Sequence, residues 1–321
     1  MKRFIPYGMF LLGACVLISC DSEFNPKGPY AERMVIYSIL MTRTDTQYVR
    51  LYTTYDPPAF DPSEIHEERT IRNATVIIRQ GAAAVQFRDT IVARDNPQRY
   101  GPSVPAYIGY PFSVAGLETY SLTVESPSHG SLTATTTMPG KGDITVLNPF
   151  VLKSPQSFNE NIIVSARITP PARGFLLRMY IDYELRFNDV WSPRRTEVPK
   201  EVVDSGEERR FVYPQLVRRT TVPVSARSLN AESVVFTNSA YEAVLQRLFN
   251  DYGSGNLRFS RVVLILTQVD ANLYTYYNVA NGFQDEFSIR TDQPDYSNIQ
   301  GGYGVFGAMT EDSTLISLQE P

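Results

Sequence analysis

The chain has 321 residues, 43% hydrophobic and 20% charged, with 34 acidic side chains against 30 basic ones. That is an ordinary globular composition, long enough for one large or two medium domains and for a core that needs no disulfide staples. A formal charge of −4 excludes the usual duplex-binding surface, which carries a basic surplus over the phosphates it neutralises, and no nucleic-acid partner is expected. The pairs Arg194–Arg195, Arg209–Arg210 and Arg218–Arg219 read as solvated strand edges.

Met1-Lys2-Arg3 is a positive start, and residues 4–18 are then mostly apolar. The run is shorter than the roughly 20 residues that cross a bilayer and is interrupted by Pro6 and Tyr7, so it reads as the apolar region of a signal peptide, residues 1–19. Leu17-Ile18-Ser19-Cys20 resembles the lipobox of bacterial lipoproteins. The resemblance implies cleavage between Ser19 and Cys20 and diacylglycerol on the Cys20 thiol. Cys15 and Cys20 are the two cysteines, so the processed chain keeps one and forms no internal disulfide. Processing also removes Lys2 and Arg3, leaving 28 basic groups against 34 acidic ones. Residues 20–32 carry no apolar periodicity and read as a lipidated tether. Asp21 and Glu23 resemble the surface-export signal of Bacteroidota lipoproteins, which implies an outer-membrane protein facing the cell exterior.

From Met34 the pattern is of short strands: 34–40, 47–53, 74–78, 85–87, 120–124 and 132–136, several with the period-2 alternation of half-buried strands. Pro127-Ser128-His129-Gly130 reads as a hairpin turn. Roughly seven strands in about 105 residues predict an immunoglobulin-like sandwich over 33–140. Residues 141–321 predict a second β-rich domain with one or two short helices. Its strands are 143–147, 161–168, 175–187 and 257–269, with a charged, Pro-broken stretch of exposed-edge hairpins or a mobile excursion between Trp191 and Arg227. Ser239-Ala240-Tyr241-Glu242 reads as a capping box opening a helix that ends before Gly253. Asp270 reads as the cap of a second helix running to Gly282.

The C-terminal segment Asn298-Ile299-Gln300-Gly301-Gly302-Tyr303-Gly304-Val305-Phe306-Gly307-Ala308 resembles the ending of a Bacteroidota outer-membrane lipoprotein family, domain of unknown function 4249. The lipobox, the first strand, Gly116 to Val124, the Met138-Pro139 domain end and Tyr274-Thr275-Tyr276-Tyr277 agree with it in order. The family implies an outer-membrane lipoprotein found alongside TonB-dependent transporters, with no established activity and no catalytic residues to carry over. Where the family often has an aspartate-rich approach to the helix, this chain has Val235-Phe236-Thr237-Asn238.

Gly302 to Gly307 matches G-x-G-x-x-G, but no βαβ unit follows, so these glycines read as close backbone packing around a last strand. His66, with Glu64, Glu67 and Glu68, reads as a solvated acidic loop; neither it nor His129 accompanies a nucleophile elbow. No metal and no cofactor are expected. Tyr100, Tyr107, Tyr110 and Phe112 form a Pro- and Gly-spaced aromatic segment, either covering the sandwich end or contacting a ligand. The expectation is a non-enzymatic, lipid-anchored protein that binds a protein partner such as a TonB-dependent transporter. The alternatives are a glycan- or peptide-capturing module using those aromatics, and a hydrolase with a carboxylate site.

Overall fold

Alternation of apolar and polar residues places the first strand, β1 (Met34–Met41), with Met34, Ile36 and Leu40 inward and Tyr37 and Ile39 outward. The computed structural model describes residues 30–55, 69–94, 101–206, 209–220, 230–280 and 296–318. Six more strands follow: β2 (Gln47–Thr53), β3 (Thr75–Gln80), β4 (Ala83–Ala93), β5 (Ser103–Gly109), β6 (Thr119–Ser126) and β7 (Gly130–Thr137). One layer is ordered β1-β2-β5-β4 and the other β3-β6-β7. This is the strand order of a constant-type immunoglobulin sandwich. Strand β4 joins the layers, pairing β3 through Ala83–Phe87 and β5 through Arg88–Ala93. Val49, Leu51, Val76, Ile78, Leu122, Val124 and Leu132 fill the space between.

Strand β5 is the element that the sequence pattern conceals, because Pro105 and Gly109 punctuate it. Pro105 is tolerated because β2 pairs only with Tyr107–Gly109, so at Pro105 the ladder runs on the β4 side alone.

The second part adds β8 (Asp143–Val146), α1 (Phe150–Lys153), β9 (Ile162–Ile168), β10 (Gly174–Phe187), β11 (Val190–Val198), β12 (Glu201–Asp204), β13 (Arg209–Val212), β14 (Val217–Arg218), β15 (Asn230–Phe236), α2 (Asn238–Tyr252), β16 (Leu257–Val269), α3 (Ala271–Ala280) and β17 (Tyr303–Ser317). A layer β11-β10-β16-β17 and a three-stranded sheet β15-β9-β8 share one core with α1 and α2. Leu177, Met179, Ile181, Val262, Leu264 and Leu266 meet Ile162, Val164, Ile168, Phe236, Tyr241 and Leu248 there. Each such side chain contributes about 1.5–3 kcal/mol by leaving water.

Helices α2 and α3 each start at a side-chain cap. Thr237, not Ser239, caps α2: its hydroxyl accepts from the Ala240 N–H at 3.3 Å, and Ser239 already lies in the first turn. Gly253, at φ +75°, ends that helix where a left-handed residue is needed. Asp270 caps α3 as its sequence implies, accepting from the Leu273 N–H at 2.9 Å.

Strand β17 ties the two parts together. It pairs antiparallel with β16 and parallel with β1, so the sheet runs continuously from β11 to the sandwich. Its Phe306 and Ala308 belong to the sandwich core, while Ile316 packs on the other. Residues 33–321 thus group as one unit. At the junction Asp270 accepts from Thr136 at 2.7 Å and from the Ala308 N–H at 3.2 Å. Gln268, also buried, accepts from the Thr169 N–H at 2.8 Å and donates to the Gly140 carbonyl at 3.1 Å. The glycines of the terminal motif serve this contact. Gly304, at φ +110°, lies so close to the Ile36 backbone that a Cβ would collide with the Ile36 carbonyl.

Candidate functional site

The aromatic segment divides on folding. Strand β5 carries Tyr107 into the sandwich, 2% exposed, its hydroxyl donating to the Ile71 carbonyl at 2.9 Å and accepting from the Ala74 N–H at 3.0 Å. Burial raises its pKa. Phe112, 8% exposed, meets Phe87 and Tyr120 edge to face. Tyr107 and Phe112 are therefore core residues and present no ring to a surface ligand. Tyr110 is 63% exposed, ahead of a cis Tyr110–Pro111 bond. Tyr100, His66, Ser19 and Cys20 lie outside the described residues. His129 sits in the β6–β7 turn with its Nδ1 2.7 Å from the Ser128 hydroxyl.

The more organised surface is the outer face of β11-β10-β16, where the expected strands over 175–187 and 257–269 meet β11, part of the stretch expected as exposed-edge hairpins or a mobile excursion. Asn188 and Asp189, at φ +49° and +61°, form the two-residue turn between β10 and β11, with Phe187 opposite Val190. Both positive values mark the turn whose twist matches that of the strands. The register then follows: Arg186 faces Trp191, Glu184 faces Pro193, Asp182 faces Arg195 and Tyr180 faces Glu197. On the other side of β10, Asp182 faces Arg261 and Glu184 faces Arg258.

A bulge makes that second pairing possible. Arg258 and Arg261 are three apart, and strict alternation would send them to opposite faces. The ladder slips between Asp182 and Tyr183, Ser260 is left over, and both arginines point outward while Leu257 and Val262 stay buried.

The resulting geometry is tightly specified. Arg195 donates to Asp182 through Nε (2.6 Å) and Nη2 (3.0 Å), and Arg261 donates through Nε at 2.9 Å. The Arg195 guanidinium holds the Asp182 carboxyl below the usual carboxylate range; burial opposes this and Arg261 adds to it. Arg195 also lies 5.5 Å above the Tyr180 ring. The one tryptophan of the chain, Trp191, is stacked by Arg258 at 4.0 Å from its ring centroid, with Arg186 at 5.9 Å. A cleft of about 520 Å³ opens here, lined by Asp182, Glu184, Arg194, Arg195, Ser260 and Arg261 among others. Beyond it the hairpin tip carries Phe187, 73% exposed, and Val190, 63% exposed.

Chemically, this face offers guanidinium donors in fixed orientations beside a flat aromatic, and the apolar tip residues Phe187 and Val190 stand at the end of the hairpin on its other face. Trp and Arg are the residue types that dominate binding energy in protein interfaces, and an apolar tip adds area that gains by leaving water. Among the described residues no group of three or more His, Cys, Asp or Glu is placed to hold a metal ion, and no helix is long and apolar enough to cross a membrane.

No curated protein matches the chain. Among solved structures it is similar to the C-terminal globular domain of an oligosaccharyltransferase from Pyrococcus abyssi, at 13% identity and a TM-score of 0.24, over 72% of this chain and 47% of that one. At that score the likeness carries no argument. The family model described as domain of unknown function (DUF4249) matches residues 21–314, nearly the whole chain, and the chain belongs to that family.

Proposed function

We propose that this is a non-enzymatic lipoprotein of a Bacteroidota outer membrane, anchored through Cys20, facing the exterior and docking an envelope protein such as a TonB-dependent transporter through the outer face of β11-β10-β16. The anchor rests on the Leu17–Cys20 lipobox and the positively charged, apolar leader before it. Lipid chains at one terminus hold a protein at a surface and leave its far faces free for partners. The observation that carries the docking reading is Trp191 clamped by Arg258 and Arg186 beside the apolar tip of a hairpin. A side chain already held in its contact geometry loses little entropy on binding, which favours its use as an anchor.

Two measurements test this. Cys20→Ser should leave the chain unprocessed and released from membranes by mild washing; a membrane-bound product of mature size refutes the anchor. Cross-linking followed by capture of the full chain from outer membranes should recover an envelope protein, and Trp191→Ala should reduce that yield by about tenfold or more. Capture of nothing, or equal capture by the variant, refutes the docking face.

A further inference from the structure

Resting on the docking reading, we infer that the Asp182–Arg195–Arg261 cleft is a receptor for carboxylate side chains on an acidic, apolar-flanked polypeptide segment of the partner. The outer face around the cleft carries Arg178, Arg186, Arg195, Arg258 and Arg261 against Asp182, Glu184 and Glu197, in a chain whose acidic residues outnumber its basic ones. It is a local reversal of the chain's own sign, and opposite charge is what such a surface selects.

Asp182 does not cancel this site; it builds it. A guanidinium has five N–H donors. Arg261 uses one of them on Asp182 and Arg195 uses two, and among the described residues no other carboxylate is bonded to either. The remaining donors of two rigidly held forks line an open cleft, where a carboxylate can accept two parallel bonds from one fork. Because Asp182 fixes both side chains, a ligand does not pay the ordering entropy of two long cations.

The apolar side of the occupant follows from the neighbours. Trp191, opposite Arg186 in the ladder and stacked by Arg258, lies on the same outer face as Arg195 and Arg261, so acidic contacts have an apolar contact alongside. A polypeptide alternates such side chains; a uronic-acid polymer repeats the charge without them.

Trp191, as the sole tryptophan, makes the site self-reporting. The full lipidated chain in detergent micelles is titrated with a synthetic peptide of alternating glutamate and leucine, with its glutamine counterpart and with polygalacturonate, while Trp191 emission is followed. The inference expects a saturable change with the glutamate peptide, weakened severalfold by raised salt, and none with the glutamine peptide. Arg261→Lys keeps the charge and removes the fork, and should lower affinity by about tenfold. Asp182→Asn should lower it as well, although it removes a negative charge. Unchanged or tighter binding by Asp182→Asn overturns the inference, since a diffuse cationic patch would gain from losing that acid. Equal binding of the glutamine peptide, or tighter binding of polygalacturonate, overturns it too. Thermal melts of both variants establish that they are folded. If Arg261→Lys and Asp182→Asn still capture the envelope partner as the parent does, the cleft assignment fails while the docking face stands.

Discussion

At the scale of residues, Asp182 and Asp270 show how one side-chain type takes opposite roles. Asp182 lies on the outer face of a sheet, largely covered, and is bonded by two guanidinium groups, which favours its charged form. Asp270 is buried, and burial raises its pKa although Thr136 and the Leu273 and Ala308 N–H groups bond it. For Asp182 the lowered folded pKa means a contribution to stability that is present above the unfolded value, about 3.8, and is lost as pH falls through the folded value. The melting temperature of Asp182→Asn should therefore fall less steeply than that of the parent as the pH is taken from about 5 to about 2. Parallel slopes would show that the ion pairs are formed without being coupled to folding.

At the scale of elements, the helix α2 shows how local sequence misplaces a boundary by two residues. Ser239 and Glu242 have the spacing of a capping box, yet Thr237 has the extended backbone, at ψ 140°, and accepts the capping hydrogen bond. What decides is β15, whose last residue, Phe236, pairs with Ile162 and is fully buried, so the chain must leave the sheet at Thr237. Thr237→Ala should cost about 1 kcal/mol in urea unfolding, and Ser239→Ala no more than a few tenths. The reverse order would place the cap at Ser239. The β10–β11 hairpin is a second case. Asn188-Asp189 is a local turn signal from which the Asp182–Arg195 pair follows by counting, because each residue's partner is set by distance from the turn. Arg261 has no such signal. It reaches Asp182 from 79 residues away and faces outward only because of the bulge at Ser260.

At the scale of the whole molecule, β17 is the element without which neither half is complete. It supplies the parallel neighbour of β1 and places Phe306 and Ala308 in the sandwich core, with Ile299 before it. Residues 33–140 expressed alone lack three buried core side chains and one flank of β1. We expect that fragment to show no cooperative melting transition by circular dichroism, whereas the full chain melts cooperatively. A fragment that melts as sharply as the full chain would mean that the sandwich closes without β17. Parallel pairing between the first and last strands also carries a long loop-closure cost, so β17 should protect its amides late in refolding.

What the sequence determined by itself was what depends on near neighbours. Period-2 alternation and turn residues marked nearly all of the sandwich strands, and the glycines of the terminal motif announced close backbone packing, because strand period and φ preference are local properties. Tertiary structure decided which face each strand presents and what meets across it. It turned Tyr107 inward by making residues 103–109 a strand, since pairing with β2 and β4 outweighs the breaks at Pro105 and Gly109, and it packed Phe112 against Phe87 and Tyr120. It assembled Asp182, Trp191, Arg195, Arg258 and Arg261 into one surface, because ladder register and a single bulge couple segments that no local pattern connects.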